Sequence, residues 1–266
     1  MKSELLKDKM VIVAGGCGRL GAAFTTSILD NGGFCVVTDI NESHGAELVA
    51  NLALTGYESK IEFCTVDISD SNSLDKLIDK VGSKHNHIDA FVNTSYPHNS
   101  NWGKKFFEDV ALRDFCENAS LHLGGFFLAA QKICSYFKKQ GYGNIIQIAS
   151  IQGIMAPKFD TYKGSAFNGS DMNSPAEYSI FKAGIINLTR YLAKYYKGYN
   201  IRSNCISPGG IYSGQPEKFI EKYNKYCLSK GMLNAEDISG TLIYLLSDMS
   251  KYVNGQNIIV DDGWSL

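Results

Sequence analysis

A chain of 266 residues, 44% hydrophobic and 20% charged, can bury a sizeable core and is too apolar to remain unfolded. Its 26 basic residues are balanced by 27 acidic ones and form no stripe, which excludes the electrostatic footprint of a nucleic-acid binder, and no apolar run approaches the ~18 residues of a membrane span. The seven cysteines are scattered without a Cys-x-x-Cys pair or a Cys/His cluster, and the first nine residues are polar, so no metal site and no secretory leader is expected and the chain reads as cytoplasmic.

Short β-branched runs alternate with segments of helical period. In chain order the expected elements are strand 10–14, helix 20–31, strand 34–38, helix 42–54, strand 61–65, helix 71–84, strand 90–92, helix 112–140, strand 145–148, helix 175–196, strand 201–206, helix 235–246 and strand 257–260. Strands separated by helices require right-handed crossovers and a parallel sheet covered on both faces. The prediction is one doubly wound α/β domain over residues 1–266, with a seven-stranded, mostly parallel sheet. Two stretches break the rhythm: a polar segment at 153–174, and a partly helical flap at 209–230. Loops of that length are usually functional.

The first strand runs into Gly15-Gly16-Cys17-Gly18-Arg19-Leu20-Gly21 and then a helix. Gly15 permits the tight turn, Gly18 lets backbone approach a pyrophosphate, and Gly21 lets helix pack on strand, while the helix N-terminus offers partial positive charge to phosphate. This is a dinucleotide-binding unit of Rossmann type. Asp39 ends the second strand, 18 residues after Gly21. A carboxylate there hydrogen-bonds ribose hydroxyls and repels a 2′-phosphate, which selects NAD over NADP. Arg19 argues the other way, since a basic residue in this loop could meet a 2′-phosphate; Asp39 is given the greater weight.

Tyr178-Ser179-Ile180-Phe181-Lys182 falls within a helical pattern, so Tyr178 and Lys182 share one face. A neighbouring ammonium favours phenolate and lowers a tyrosine pKa from its usual ~10, which would make Tyr178 a usable general acid or base. Ser150 ends the fifth strand at the carboxyl edge of the sheet, where open α/β folds bind ligands. Ser207-Pro208-Gly209-Gly210 makes a turn on the same edge.

Taken together and in this order, these motifs resemble the short-chain dehydrogenase/reductase family along nearly the whole chain; Asp67, Asp89, Asn93 and the tail Val260-Asp261-Asp262-Gly263 add to the match. The resemblance implies a Rossmann domain with Tyr178 as acid/base. Lys182 would hold the nicotinamide ribose, and Ser150 would bond the reacting oxygen. Cofactor contacts would come from Gly15, Gly18, Arg19, Leu20, Gly21, Asp39, Ile40, Asp67, Ile68, Asn93, Tyr178, Lys182, Pro208, Gly209 and Ile211. Three departures stand out. The glycine spacing is that of the extended branch, Tyr96 and Pro97 replace smaller residues after Asn93, and Ser150 and Tyr178 are 28 residues apart. The family's relay asparagine falls on His122, with Asn118 one turn earlier. Either could serve the relay, or His122 could be structural.

Stretches such as Asn118-Ala-Ser-Leu-His-Leu-Gly-Gly125, Gln140-Gly-Tyr-Gly-Asn144 and Ile206-Ser-Pro-Gly-Gly-Ile211 resemble oxidoreductases of bacterial flagellin glycosylation and nonulosonic-acid sugar synthesis. That likeness implies a polar, sugar-like small-molecule substrate, oxidised or reduced at a secondary alcohol or ketone. Lys158, Asp160, Tyr162, Lys163, Asn168 and Asp171 of the polar segment would suit such a substrate, and Trp102 could stack on a sugar or anchor its loop. The alternatives are reduction of a 3-oxoacyl thioester or other small carbonyl compound, and a non-catalytic NAD-binding scaffold. Family resemblance also implies a homodimer or homotetramer built on the helices 112–140 and 175–196.

Overall fold

The central strand is Met-Val-Ile-Val-Ala, β1 (Met10–Ala14), buried at every position as a parallel strand covered on both faces must be. A computed structural model describes residues 4–167 and 170–266. From β1 the chain alternates through α1 (Arg19–Asp30), β2 (Phe34–Asp39), α2 (Glu42–Leu52), β3 (Ile61–Thr65), α3 (Ser71–His85) and β4 (Ala90–Asn93). It continues through α4 (Leu112–Asn118), α5 (Gly125–Gln140), β5 (Gly143–Ile148), the two-residue strands β6 (Ala166–Phe167) and β7 (Ser170–Asp171), and α6 (Ala176–Tyr195). Last come β8 (Ile201–Pro208), α7 (Glu217–Asn224), α8 (Glu236–Leu246) and β9 (Asn257–Val260).

Seven strands form one sheet in the order β3-β2-β1-β4-β5-β8-β9, and every neighbouring pair is parallel. The order reverses direction between β1 and β4, which opens a crevice at their carboxyl ends. On one face Ile12, Phe91 and Ile145 pack against α3, α5 and α6 through Leu77, Phe126, Ile133 and Ile185. On the other, Val11, Val13 and Ile146 meet α1 and α8 through Phe24, Ile28 and Leu242. The short hairpin β6–β7 lies apart from this sheet.

Each predicted strand is present, some longer by one or two residues. Asp39 and Asn93 belong to β2 and β4, and β8 runs on to Pro208, because polar residues at the carboxyl edge still share the backbone ladder after the apolar pattern stops. Two helices depart from the prediction. The expected helix 42–54 stops at Leu52 and passes into a wide turn, Ala53–Tyr57, broken by Gly56 at φ 95°. The expected helix 112–140 is interrupted by a π-helical turn, Ala119–Gly124, that carries His122. Gly125 follows it, and a Cβ there would lie only 3.1 Å from the Ile68 side chain, so the small residue lets α5 approach the β3–α3 turn.

Helix ends differ in a way that bears on function. Asn41 and Asp70 cap α2 and α3 by accepting the His44 and Asn72 N–H groups. The first turn of α1 has no side-chain cap and no acid, so its N–H groups and positive end stay available. Among the described residues no helix is long and apolar enough to cross a membrane, and no cluster of three or more His, Cys, Asp or Glu could hold a metal ion.

Candidate active site

The glycine loop is shaped by contacts that admit no side chain. Gly15 has φ +70°, and a Cβ on it would stand 2.7 Å from the Ser95 backbone. A Cβ on Gly21 would lie 2.3 Å from the Gly15 carbonyl oxygen. Gly18 is the N-cap of α1, is exposed, and meets only the Gly15 carbonyl at 3.2 Å, so its backbone is open to a ligand.

Two cavities meet at Gly18 and Tyr96. The smaller, about 380 Å³, is lined by Gly15, Asp39, Ile40, Asp67, Ile68 and the 94–96 turn. Among the described residues its acids are the two aspartates, and neither Lys nor Arg lines it. Asp39 accepts the Cys17 N–H at 3.1 Å and the Asn41 N–H at 3.1 Å, which ties the end of β2 to the glycine loop. Burial, reinforced by the Asp39 charge, pushes the Cys17 thiol up to about 11. Asp67 accepts from Ser69 backbone and hydroxyl at 2.8 and 2.6 Å. Ile40 is 72% exposed, an apolar plate on the rim. Asn93 lines neither cavity; it is fully buried and accepts the Ser95 N–H at 3.1 Å, so its part is to shape the turn whose next three residues do line them.

The larger cavity, about 510 Å³, contains Arg19, Leu20, Gly21, Ser150, Tyr178 and Lys182, together with Pro208, Gly209 and Ile211. Arg19 therefore faces this side and not the aspartates. Ser150 accepts the Gln152 N–H at 3.1 Å and is hydrogen-bonded to the Tyr178 hydroxyl. Lys182 donates to the Ile148 carbonyl at 2.9 Å, and its ammonium lies 5.6 Å from the Tyr178 ring centre. The spacing argument expected the ammonium to hold the phenol down. Burial dominates instead: it raises the Tyr178 pKa, against the opposing Ser150 hydrogen bond, and draws Lys182 down to about 7. Both groups lose water in the same cleft, and the ammonium is committed to a backbone carbonyl rather than to the phenol.

His122 and Asn118 part company. Asn118 accepts the Asn99 N–H at 2.8 Å and so anchors the loop after β4, and it lines neither cavity. His122 is fully buried, with Nδ1 3.2 Å from the Pro97 carbonyl, which makes that nitrogen the donor. Its ring is stacked between Trp102 (5.9 Å, 1°) and Phe126 (5.4 Å, 8°). Burial, with the nearby Lys182 charge, pushes its pKa down to about 2, so it is neutral at working pH. Stacked pairs of this kind contribute roughly 0.5–1.5 kcal/mol each, which favours a fixed ring. Trp102 thus belongs to the loop's anchor, between His98 and His122, and lines neither cavity.

The polar segment also behaves differently from expectation. Lys158 bonds the Trp264 carbonyl at 3.1 Å and covers the Tyr226 ring at 3.9 Å. Asp160 accepts from the Tyr226 hydroxyl at 2.7 Å, and the Lys163 carbonyl accepts from Lys222 at 2.6 Å. Asn168 lies outside the described residues. These groups dock the segment against α7 and the tail, and among the described residues of the segment only Tyr162 and Met172 reach the larger cavity. The same wall takes Phe219 and Tyr223 from α7, Met232, and Trp264 from the tail. None of these was singled out from the sequence, although Phe219 and Tyr223, four residues apart on a short amphipathic helix, carried a visible signal. The flap end is latched by Asp262, at φ 53°, whose carboxylate accepts the N–H groups of Ser229, Lys230 and Gly231 at 3.0, 2.6 and 2.8 Å.

Known proteins bear this architecture. Residues 19–265 match a family profile described as enoyl-(acyl carrier protein) reductase. The chain is 46% identical over 262 residues to post-translational flagellin modification protein A of Campylobacter coli, covering 98% of this chain and 100% of that one. It is 27% identical to a 3-oxoacyl-[acyl-carrier-protein] reductase of Thermotoga maritima, with 97% and 98% of the two chains covered. A crystal structure of a short-chain dehydrogenase from Leptospira borgpetersenii with bound NAD+ superposes with a TM-score of 0.82 at 28% identity, over 98% of this chain and 94% of that one. The chain belongs to the short-chain dehydrogenase/reductase family and is an oxidoreductase of the NAD(P)-binding kind.

Proposed function

We propose that the protein interconverts a secondary alcohol and a ketone on a sugar or nucleotide-sugar derivative, with NAD as the redox partner. One observation carries the reading: the Ser150–Tyr178 hydroxyl pair and Lys182 line the same cavity as Gly18, Arg19 and Gly21 of the glycine loop. The loop fits a dinucleotide, because Gly15 and Gly21 leave no room for a Cβ and α1 presents uncapped N–H groups. The pyrophosphate would be held there and by Arg19. The nicotinamide half would be held by Lys182 and the Pro208–Gly209–Ile211 turn, and the adenosine half by Asp39, Ile40, Asp67 and Ile68. Among the described residues two aspartates and neither Lys nor Arg line the smaller cavity, which supports NAD over NADP.

When bound, the nicotinamide supplies the hydride acceptor. Tyr178, which burial keeps protonated, gives its proton to the substrate carbonyl oxygen in the reducing direction; in the oxidising direction it first loses that proton and then takes the one of the substrate hydroxyl. Ser150, whose oxygen is engaged by the Gln152 N–H, turns its hydrogen toward the reacting oxygen or Tyr178. Lys182, at about 7, can hold or release a proton near neutral pH. The neutral, stacked His122 keeps the loop and the π turn in place beside it. A sugar substrate draws support from the relative named for flagellin modification and from the aromatic wall, which suits the apolar face of a pyranose. A homo-oligomer draws support from Phe127, Ile180, Tyr191 and Tyr195, large apolar groups exposed on α5 and α6. Dependence on the NAD pool supports a cytoplasmic place of work.

The apolar lining of Met172, Phe219 and Met232 favours a second reading, reduction of a 3-oxoacyl thioester. The deciding experiment follows NADH absorbance with NAD plus sugar phosphates and nucleotide sugars, and with NADH plus 3-oxoacyl thioesters. Turnover of the sugars, falling at least ~10²-fold in Tyr178→Phe, is expected. Turnover of the thioesters alone would replace the first reading by the second. Dinucleotide binding without turnover, unchanged in Tyr178→Phe, would make the protein a scaffold.

A further inference from the structure

The polar groups on the wall of the larger cavity are donors with little to donate to. A phenol has one hydrogen and two lone pairs, whereas an indole or backbone N–H can only donate. The Tyr223 oxygen accepts the Gly210 N–H at 2.5 Å, and the Tyr96 oxygen accepts the Trp102 indole N–H at 3.0 Å. Each phenol's own hydrogen must therefore go elsewhere. Burial raises both phenols well above the usual range, so both keep that hydrogen. Trp264, stacked on Tyr223 at 5.2 Å, is 3% exposed, and its indole N–H has no acceptor among the described residues.

Side-chain acceptors are scarce on the same wall. Among the described residues no Asp or Glu lines the cavity; the Asp261 carboxylate, which acts on Tyr223 from behind this wall, is engaged by the Gly263 and Ser265 N–H groups at 3.0 and 2.8 Å. The carboxamide oxygen of Gln152 is taken by Ser174 and Ser179 at 2.6 and 3.3 Å, and that of Gln215 by the Ser213 N–H at 2.7 Å. The Tyr162 oxygen is engaged by the Gln152 amide at 3.1 Å. The charges that do line the cavity are the side chains of Arg19 and Lys182, and the Lys158 ammonium lies 4.7 Å from the Trp264 ring without lining the cavity itself.

We infer that the substrate carries an oxyanion, a carboxylate or a phosphate, received by Tyr223 and Trp264 while the reacting carbon sits at Tyr178. This rests on the oxidoreductase reading above. An oxyanion accepts hydrogen bonds and donates none, which matches a wall of donors. A neutral polyol brings one donor with every hydroxyl, and those donors would find little here beyond the second lone pairs of hydroxyl groups. An amine would be repelled by the same cations. Tyr96, at the junction of the two cavities, is free to serve either the substrate or the dinucleotide and is left out of the claim.

The test is a matched series on one carbon skeleton: the neutral polyol, its aldonate, its phosphate ester and its amino analogue, each assayed with NAD. The carboxylate or the phosphate member should exceed the neutral one by about 100-fold or more in kcat/KM, and whichever leads identifies the group. Tyr223→Phe and Trp264→Phe, each keeping a ring in the wall, should raise KM for the anionic member roughly 10-fold with kcat held within about 3-fold, and so lower the anionic preference. Thermal melting and NADH fluorescence verify that both variants fold and load cofactor. A neutral or amino member that matches the anions overturns the inference, as does an unchanged anionic KM in both variants. Wild-type protein that binds NADH yet turns over no member of the series overturns it while leaving the oxidoreductase reading standing; wild-type protein that binds no NADH removes that reading itself.

Discussion

At the scale of single residues, the pair Tyr178 and Lys182 shows burial outweighing proximity. Lys182 ordinarily titrates at 10.5 and in the fold at about 7. Above the ordinary value the side chain is neutral in both folded and unfolded chains, and its burial as a charge costs nothing. As pH falls the unfolded chain takes up the proton first, so a penalty on the folded state grows and is complete below about 7. Lys182→Met removes that penalty. The melting temperature of the variant relative to wild type should rise as pH is lowered from about 10.5 to about 7, by some 2–4 °C for each kcal/mol, while turnover is lost. Calorimetry across that range checks it, and a flat difference would show that Lys182 stays charged at its post. The Tyr-x-x-x-Lys spacing made the shared helix face legible. Nothing local to it announces the Ile148 carbonyl, 34 residues away, that holds the ammonium.

At the scale of elements, regular segments were legible and their interruptions were not. The helical period continues through residues 112–140, because a π turn widens the backbone without changing which residues are apolar; His122 is placed by that turn and by ring partners from three segments, Tyr96 and Trp102 of the loop after β4, Phe126 of α5 and Phe181 of α6. The polar segment was visible as a break in pattern. That its charges bind α7 and the tail depends on partners some 60 to 100 residues distant. The flap is the element most open to a local test. Four hydrogen bonds converge on Asp262, adding the Ser229 hydroxyl at 2.6 Å to the three backbone N–H groups, and they hold its carboxyl down at about 2. The latch is therefore fully present above the ordinary 3.8 and is lost as pH falls through about 2. Asp262→Ala should speed hydrogen exchange at residues 229–231 and raise substrate KM several-fold with little change in kcat. Exchange rates equal to wild type would mean that the flap end is held by other contacts.

At the scale of the whole molecule, the parallel, doubly wound sheet was legible from alternating runs alone, since covered parallel strands read as unbroken apolar stretches; that its order reverses between β1 and β4 was not, because the pattern of runs carries no strand order. The groove at that reversal joins two unlike chambers, one acidic and one cationic. Global stability reports which dinucleotide fits: NAD at 100 times its Kd should add about 2.7 kcal/mol, or about 5–10 °C in melting temperature. NADP at equal concentration should add little, and Asp39→Ser should narrow the gap. Equal shifts in the wild-type protein would overturn the assignment of cofactor choice to Asp39. The larger chamber has a further consequence for descent. The side to which the proposed hydride transfer is assigned is built by the glycine loop, the end of β5 and α6, whereas its opposite side is assembled from the 153–174 insertion, α7 and the tail, none of which supplies a strand to the main sheet. Those three pieces can drift, or be exchanged between homologues, without disturbing the proton chemistry, so new substrates can be acquired by rewriting the periphery alone.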